Sequence, residues 1–185
     1  MATTPKIVSR KTVAKNLWTH IVDENIEFPD GRKGNYLIVE RGMALAIIPL
    51  FFKEGVLCTT MVKQYRHPIG TEVLQFPMGC LEEDSNPEDH ARKELQQETG
   101  LEMQELTLIA EYYVDPGLSR QRCMVFVAKG LAKEGEQNLE ETEIGMKIAH
   151  IPVAELVGMI ERREICDSWG LSQVYLLQRY LSDQR

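Results

Sequence analysis

Apolar side chains enter this chain singly before they enter in runs. Val8, Val13, Leu17, Ile21 and Ile26 are spread among charged residues, a spacing that predicts extended strands with a turn at Pro29-Asp30-Gly31. Denser segments follow: Tyr36–Glu40 and Met43–Leu50 read as strands joined at Arg41-Gly42, and Lys53-Glu54-Gly55 reads as a hairpin turn before Val56–Val62. Leu106–Tyr113, Cys123–Leu131 and Ile148–Ile151 share that β-rich character. The period then changes. Leu156 and Ile160 within 153–163, and Leu171, Val174, Tyr175 and Leu177 within 168–181, follow helical spacing, so the chain should close with two helices. Strands with helices packed on them predict an α+β layered domain.

Between these halves lies the segment Gly79–Leu101, which predicts a short capped helix. Ser85 or Asn86 can cap its start, Pro87 suits a first turn that needs no N–H, Glu88 and Asp89 favour the positive end of the dipole, and Gly100 permits a left-handed stop. Ala91 and Leu95 form its buried stripe. Glu94 and Glu98, at i and i+4, project from a neighbouring face and repel each other. A solvated acidic face explains most such pairs. A hard cation would reverse the sign of the interaction, and Mg²⁺ favours one or two carboxylates on a rigid element, with water and substrate phosphate completing its shell.

Composition narrows the classes. With 185 residues and 43% hydrophobic content, the chain suits one domain with a core of its own. Cys58, Cys80, Cys123 and Cys166 are scattered and form no C-x-x-C pair, so neither zinc nor a disulfide framework is expected, and a reducing cytoplasm is the expected location. No apolar leader and no run of membrane-spanning length is present, so neither secretion nor a membrane partner is expected. A net charge of −7 without a basic block argues against nucleic acid as the ligand. His20, His67, His90 and His150 show no ligand spacing.

Gly79–Leu101 resembles the Nudix box, G-x5-E-x7-R-E-U-x-E-E-x-G-U with U aliphatic. Gly79, Glu94, Leu95, Glu98, Gly100 and Leu101 agree with it, while Ser85, Lys93 and Gln97 replace Glu, Arg and Glu. Gln64–Gly70 and Glu72–Gly79 resemble the segments that precede the box in ADP-ribose and other nucleotide-sugar pyrophosphatases. Downstream, Tyr112–Ser119 resembles their Y-x-S-P-G-x-S loop, and Ile165-Cys166-Asp167 resembles the I-x-D that opens their last helix. The resemblance implies a Nudix-type α/β/α sandwich with a mixed sheet over 41–185. It also implies a β segment over 1–40 that builds a homodimer.

The site implied by this resemblance can be assigned residue by residue. The backbone carbonyl of Met78 with Glu94 and Glu98 would ligate Mg²⁺, Mn²⁺ being the alternative. Gln97 stands where relatives carry a carboxylate in or beside the metal shell, so it implies a weaker donor. In the family the first Glu and the Arg of the box form a structural ion pair, and Ser85 with Lys93 reads as a compensated change. A general base is implied within Glu140–Glu143, with Glu141 and Glu143 as the candidates. Arg66 would grip phosphate through its guanidinium fork. Gly117 would let backbone approach the substrate, Ser119 would donate to it, and Trp18 would stack on the base. The implied reaction is hydrolysis of ADP-ribose or a related nucleoside diphosphate sugar to a nucleoside monophosphate and a sugar phosphate. The alternative, prompted by Gln97, Ser85 and Gln75, is a weakened Nudix domain that binds such a ligand as a sensor or partner module.

Overall fold

The fold is described from a computed structural model for residues 4–17, 19–82 and 84–184. Two compact units emerge: Met1–Met43 with Tyr112–Arg122, and Ala44–Glu111 with Cys123–Arg185.

The first unit is an antiparallel sheet of β1 (Lys6–Lys15), β2 (His20–Glu27) and β3 (Lys33–Glu40), with β2 in the centre. Period-two patterning decides its inside: Val22, Glu24 and Ile26 are buried on one face of β2. A buried carboxylate must be paired, and Arg120 Nη2 lies 2.7 Å from Glu24 Oε2. Arg10 and Arg120 both also reach Glu40. Residues 115–119 are held to β3 by Val39 N–H donating to the Leu118 carbonyl (2.9 Å) and Ser119 Oγ donating to the Val39 carbonyl (2.7 Å). The apolar residues of β1 are not buried, contrary to what their spacing asks. Ile7, Val8 and Val13 are 58%, 61% and 56% exposed.

The second unit is built on a seven-stranded mixed sheet. Its main path runs β10 (Lys147–Pro152), β5 (Val56–Arg66), β4 (Ala44–Lys53), β9 (Arg122–Glu134), β8 (Leu101–Tyr113), with β6 (Thr71–Gln75) on β5 and β7 (Met78–Cys80) on β4. β4 pairs parallel with β9 and antiparallel with β5 and β7. Ala44 to Phe51 are all buried, the continuous apolar run expected of a central strand covered on both faces. The hairpin from β4 to β5 turns at Glu54 (φ 52°) and Gly55 (φ 81°), two left-handed residues whose twist matches the strands.

Among the described residues three helices complete the fold: α1 (Pro87–Thr99), α2 (Leu156–Glu161) and α3 (Ser168–Asp183). α1 packs on β4, β5 and β7, and α3 on β6 and α2. The result is the α+β sandwich with a mixed sheet that the sequence implied.

Several boundaries differ from the sequence reading. The strands joined at Arg41-Gly42 belong to different sheets, β3 to the first and β4 to the second. The strand expected from Leu106 begins at Leu101, where Gly100 ends α1. The helix expected over 153–163 is a 3₁₀ turn at Val153–Glu155 followed by the six residues of α2, with Leu156 and Met159 buried. In α3 the buried face is Gly170, Gln173, Val174 and Leu177; Leu171 and Tyr175 are exposed. The sheet, not hydrophobicity alone, chose the face. Among the described residues no helix is long and apolar enough to cross a membrane.

Candidate active site

α1 carries the centre of the site, and local chemistry defines its ends. Asn86, not Ser85, is the cap: its Oδ1 accepts from the N–H groups of Glu88 (2.9 Å) and Asp89 (3.1 Å), worth about 1 kcal/mol. Gly100 closes the helix at φ 72° with its N–H on the Gln96 carbonyl. Ala91 and Leu95 are buried as the stripe requires, and His90, Glu98 and Thr99 are buried beside them. Lys93 lies 3.2 Å from Glu82, so the ion pair of the box is made three residues before Ser85.

Glu98 is 3% exposed, and its Oε2 accepts from the Met78 N–H at 3.0 Å. Burial pushes its carboxyl up to about 9; the charges of Glu143 and Glu94 push the same way, against the Met78 hydrogen bond and the Arg66 charge. Glu94 is also raised, first by burial, against the influence of His90, and further by Glu143 and Glu140. Its carboxylate lies against bare backbone: a Cβ on Gly79 would stand 2.3 Å from Glu94 Cδ. The glycine that opens the box is thus the floor under a carboxylate.

Arg66, at the end of β5, donates from Nε (2.9 Å) and Nη2 (2.7 Å) to Gln75 Oε1 on the neighbouring strand β6. Gln75 Nε2 in turn donates to Asp167 Oδ1 at 3.1 Å. That same oxygen caps α3, accepting from Trp169 N–H (3.0 Å) and Gly170 N–H (3.1 Å). One amide therefore ties the arginine to a helix terminus.

The arrangement brings together Glu94, Glu98, Met78, Arg66 and Glu143. Glu143 lies in a 3₁₀ turn whose capping box donates the Glu140 N–H to Glu143 Oε2 at 3.1 Å. Glu141 is exposed in the same turn. Gln97 is half-buried, and its carbonyl accepts from the Asn138 N–H at 2.8 Å. Gly117 and Ser119 belong to the first unit, where the Ser119 hydroxyl is engaged with Val39 and with the Gln121 N–H. Trp18 lies outside the described residues. His90, given no role by its spacing, stands with Nε2 3.0 Å from Glu94 Oε1, and a histidine four residues before a glutamate on one helix is the signal that marks it.

The donor set fits a hard divalent cation. Two carboxylates costly to ionise side by side are what such an ion would relieve, with solvent and phosphate oxygens completing its shell. No group of three or more His, Cys, Asp or Glu among the described residues converges to hold a metal by protein ligands alone.

The chain is similar to known proteins in sequence and in fold. The NUDIX domain profile matches residues 41–166. An ADP-ribose pyrophosphatase of Bacillus subtilis is 29% identical over 94% of this chain and 95% of its own length. A methanol dehydrogenase activator of Bacillus methanolicus is 30% identical over 84% of this chain and 82% of its own. The crystal structure of an ADP compounds hydrolase superposes with a TM-score of 0.82 at 19% identity, covering 97% of this chain and 95% of that one.

Proposed function

This chain belongs to the NUDIX domain family, and from that premise we propose that it hydrolyses the pyrophosphate bond of ADP-ribose or a closely related nucleoside diphosphate sugar. The products are a nucleoside monophosphate and a sugar phosphate. The observation that carries the reading is the carboxylate pair of Glu98, which is buried, and Glu94, which is half-buried against the Gly79 backbone; burial and Glu143 oppose the ionisation of both. Such a pair stabilises no fold by itself. It becomes favourable once a cation is bound.

In this reading Glu94 and Glu98 hold Mg²⁺ or Mn²⁺, with the Met78 carbonyl and Gln97 at the edge of the shell. The cation supplies neutralisation of the charge on the phosphate oxygens. Arg66, braced by Gln75, pairs with a further phosphate oxygen. Glu143 accepts the proton of the attacking water, because its charge acts on both Glu94 and Glu98, and Glu141 is the second choice. The Ser119 hydroxyl is already bonded within its own unit, which leaves it no donor role toward substrate.

The test is a panel of ADP-ribose, ADP-glucose, GDP-mannose and a dinucleoside diphosphate, each with Mg²⁺ and with Mn²⁺. Release of AMP and ribose 5-phosphate from ADP-ribose, abolished by chelation, is expected. A chain that binds one of these compounds and turns over none would instead be a binding module.

A further inference from the structure

Glu94 is confined from two sides. Below it, the Gly79 backbone approaches so closely that a Cβ would meet Oε1 at 2.6 Å and Cγ at 2.7 Å. Beside it, one turn earlier on α1, His90 places Nε2 3.0 Å from the same Oε1. The histidine is itself 5% exposed, and its Nε2 makes no hydrogen bond among the described residues although it lies within ion-pair distance of Glu94.

A buried, polar ring nitrogen without a hydrogen bond is costly, about 1–3 kcal/mol, so its retention beside a carboxylate needs a reason. Glu94 also has freedom to lose. A glutamate carboxylate sits at the end of a flexible side chain, and an oxygen ligand must be held in place before an ion arrives if affinity is not to be lost in ordering it. The imidazole and the Gly79 backbone both lie against this carboxylate and restrict it. Oε1 is the oxygen turned toward the imidazole.

We propose that His90 is a positioning residue for the divalent-cation site, clamping Glu94 against Gly79 so that its carboxylate binds the ion through one oxygen. The inference rests on the cation-dependent reading above. Partners that orient a ligand from outside the metal shell are worth about 10–100-fold in metal affinity. His90 acts through Glu94 and touches neither ion nor substrate.

The experiment titrates Mn²⁺ without substrate, by electron paramagnetic resonance, into the full chain and its His90→Ala, His90→Gln and Glu94→Gln variants. If the wild type binds no Mn²⁺, the underlying metal reading fails and this inference with it. If it binds and Glu94→Gln does not, the site is as described and the inference stands or falls on His90. His90→Ala should then weaken Mn²⁺ by about tenfold. His90→Gln, whose Nε2 reaches the same place, should recover most of that loss. With ADP-ribose, kcat of His90→Ala at saturating Mn²⁺ should approach wild type while the Mn²⁺ requirement rises. Circular dichroism melting separates a folding defect from a metal defect, and His90→Leu, which fills the buried space without a ring nitrogen, supplies the answer if His90→Ala does not fold. Wild-type Mn²⁺ affinity in folded His90→Ala or folded His90→Leu would overturn the proposal. Nitrogen coupling on the Mn²⁺ signal that disappears in His90→Ala would overturn it too, by making the ring a direct ligand.

Discussion

Gly79→Ala sets one methyl group where the Glu94 carboxylate now lies. The new Cβ would meet Glu94 Cδ at 2.3 Å, whereas ordinary contact begins near 3.4 Å, so the carboxylate must retreat by 3.4 − 2.3, or 1.1 Å. Gly79 does not have a positive φ, so alanine adds no backbone strain. What yields is the end of a flexible side chain rather than the sheet. Stability measured by urea denaturation should therefore change by less than about 1 kcal/mol. Function should respond very differently, because a misplacement of about 1 Å in a reacting constellation can cost about 10²-fold. Turnover of ADP-ribose should fall by that order, and the Mn²⁺ midpoint should rise. Wild-type turnover and Mn²⁺ affinity in Gly79→Ala would show that Glu94 is not part of the machinery. A loss of several kcal/mol would show that the methyl group strikes the fold itself.

The remaining predictions follow from the same geometry. Glu98→Gln should lower kcat by on the order of 10² or more with the fold intact, and wild-type turnover would sink the metal assignment. Because the folded-state value of Glu98 is raised from 4.5 to about 9, the metal-free folded chain keeps a proton that the unfolded chain has lost between these values. Its stability should fall as pH rises through that window, and Glu98→Gln should flatten the profile. Mn²⁺ must displace this proton, so affinity should climb with pH toward 9, by up to about tenfold per unit; a pH-independent isotherm would refute it. Asp167→Ala removes the α3 cap and the anchor of Gln75, so it should cost about 1–2 kcal/mol and raise KM more than it lowers kcat; an unchanged Tm would refute the cap, and an unchanged KM the brace. With Ile7, Val8 and Val13 exposed on β1, we expect a two-fold homodimer burying above about 2,000 Å² in total, which sedimentation as a monomer at micromolar concentration would refute.

How much of this was written in the sequence depends on the distance over which each decision is made. Asn86, Pro87 and Gly100 act within one turn of the backbone groups they satisfy, so α1 and its ends follow from local chemistry. The i, i+4 pairing of Glu94 with Glu98 likewise needs only a helix. The runs that became β4, β5 and β9 announce themselves by apolar density, since a covered strand must be apolar on both faces. Other features depend on neighbours far along the chain. Gln75 bonds Asp167 across 92 residues, and Glu98 takes its N–H from Met78, 20 residues earlier, so neither pairing has a spacing to read. Helical periodicity places Leu171 and Tyr175 with Val174 and Leu177, yet only contact with β6 and α2 decides which side is covered. The same holds for charge. A glutamate reads the same in sequence whether solvated or buried, and it is the packing of α1 on the sheet that strips water from Glu98, brings Glu143 to bear on it, and so makes a proton or a cation its necessary companion.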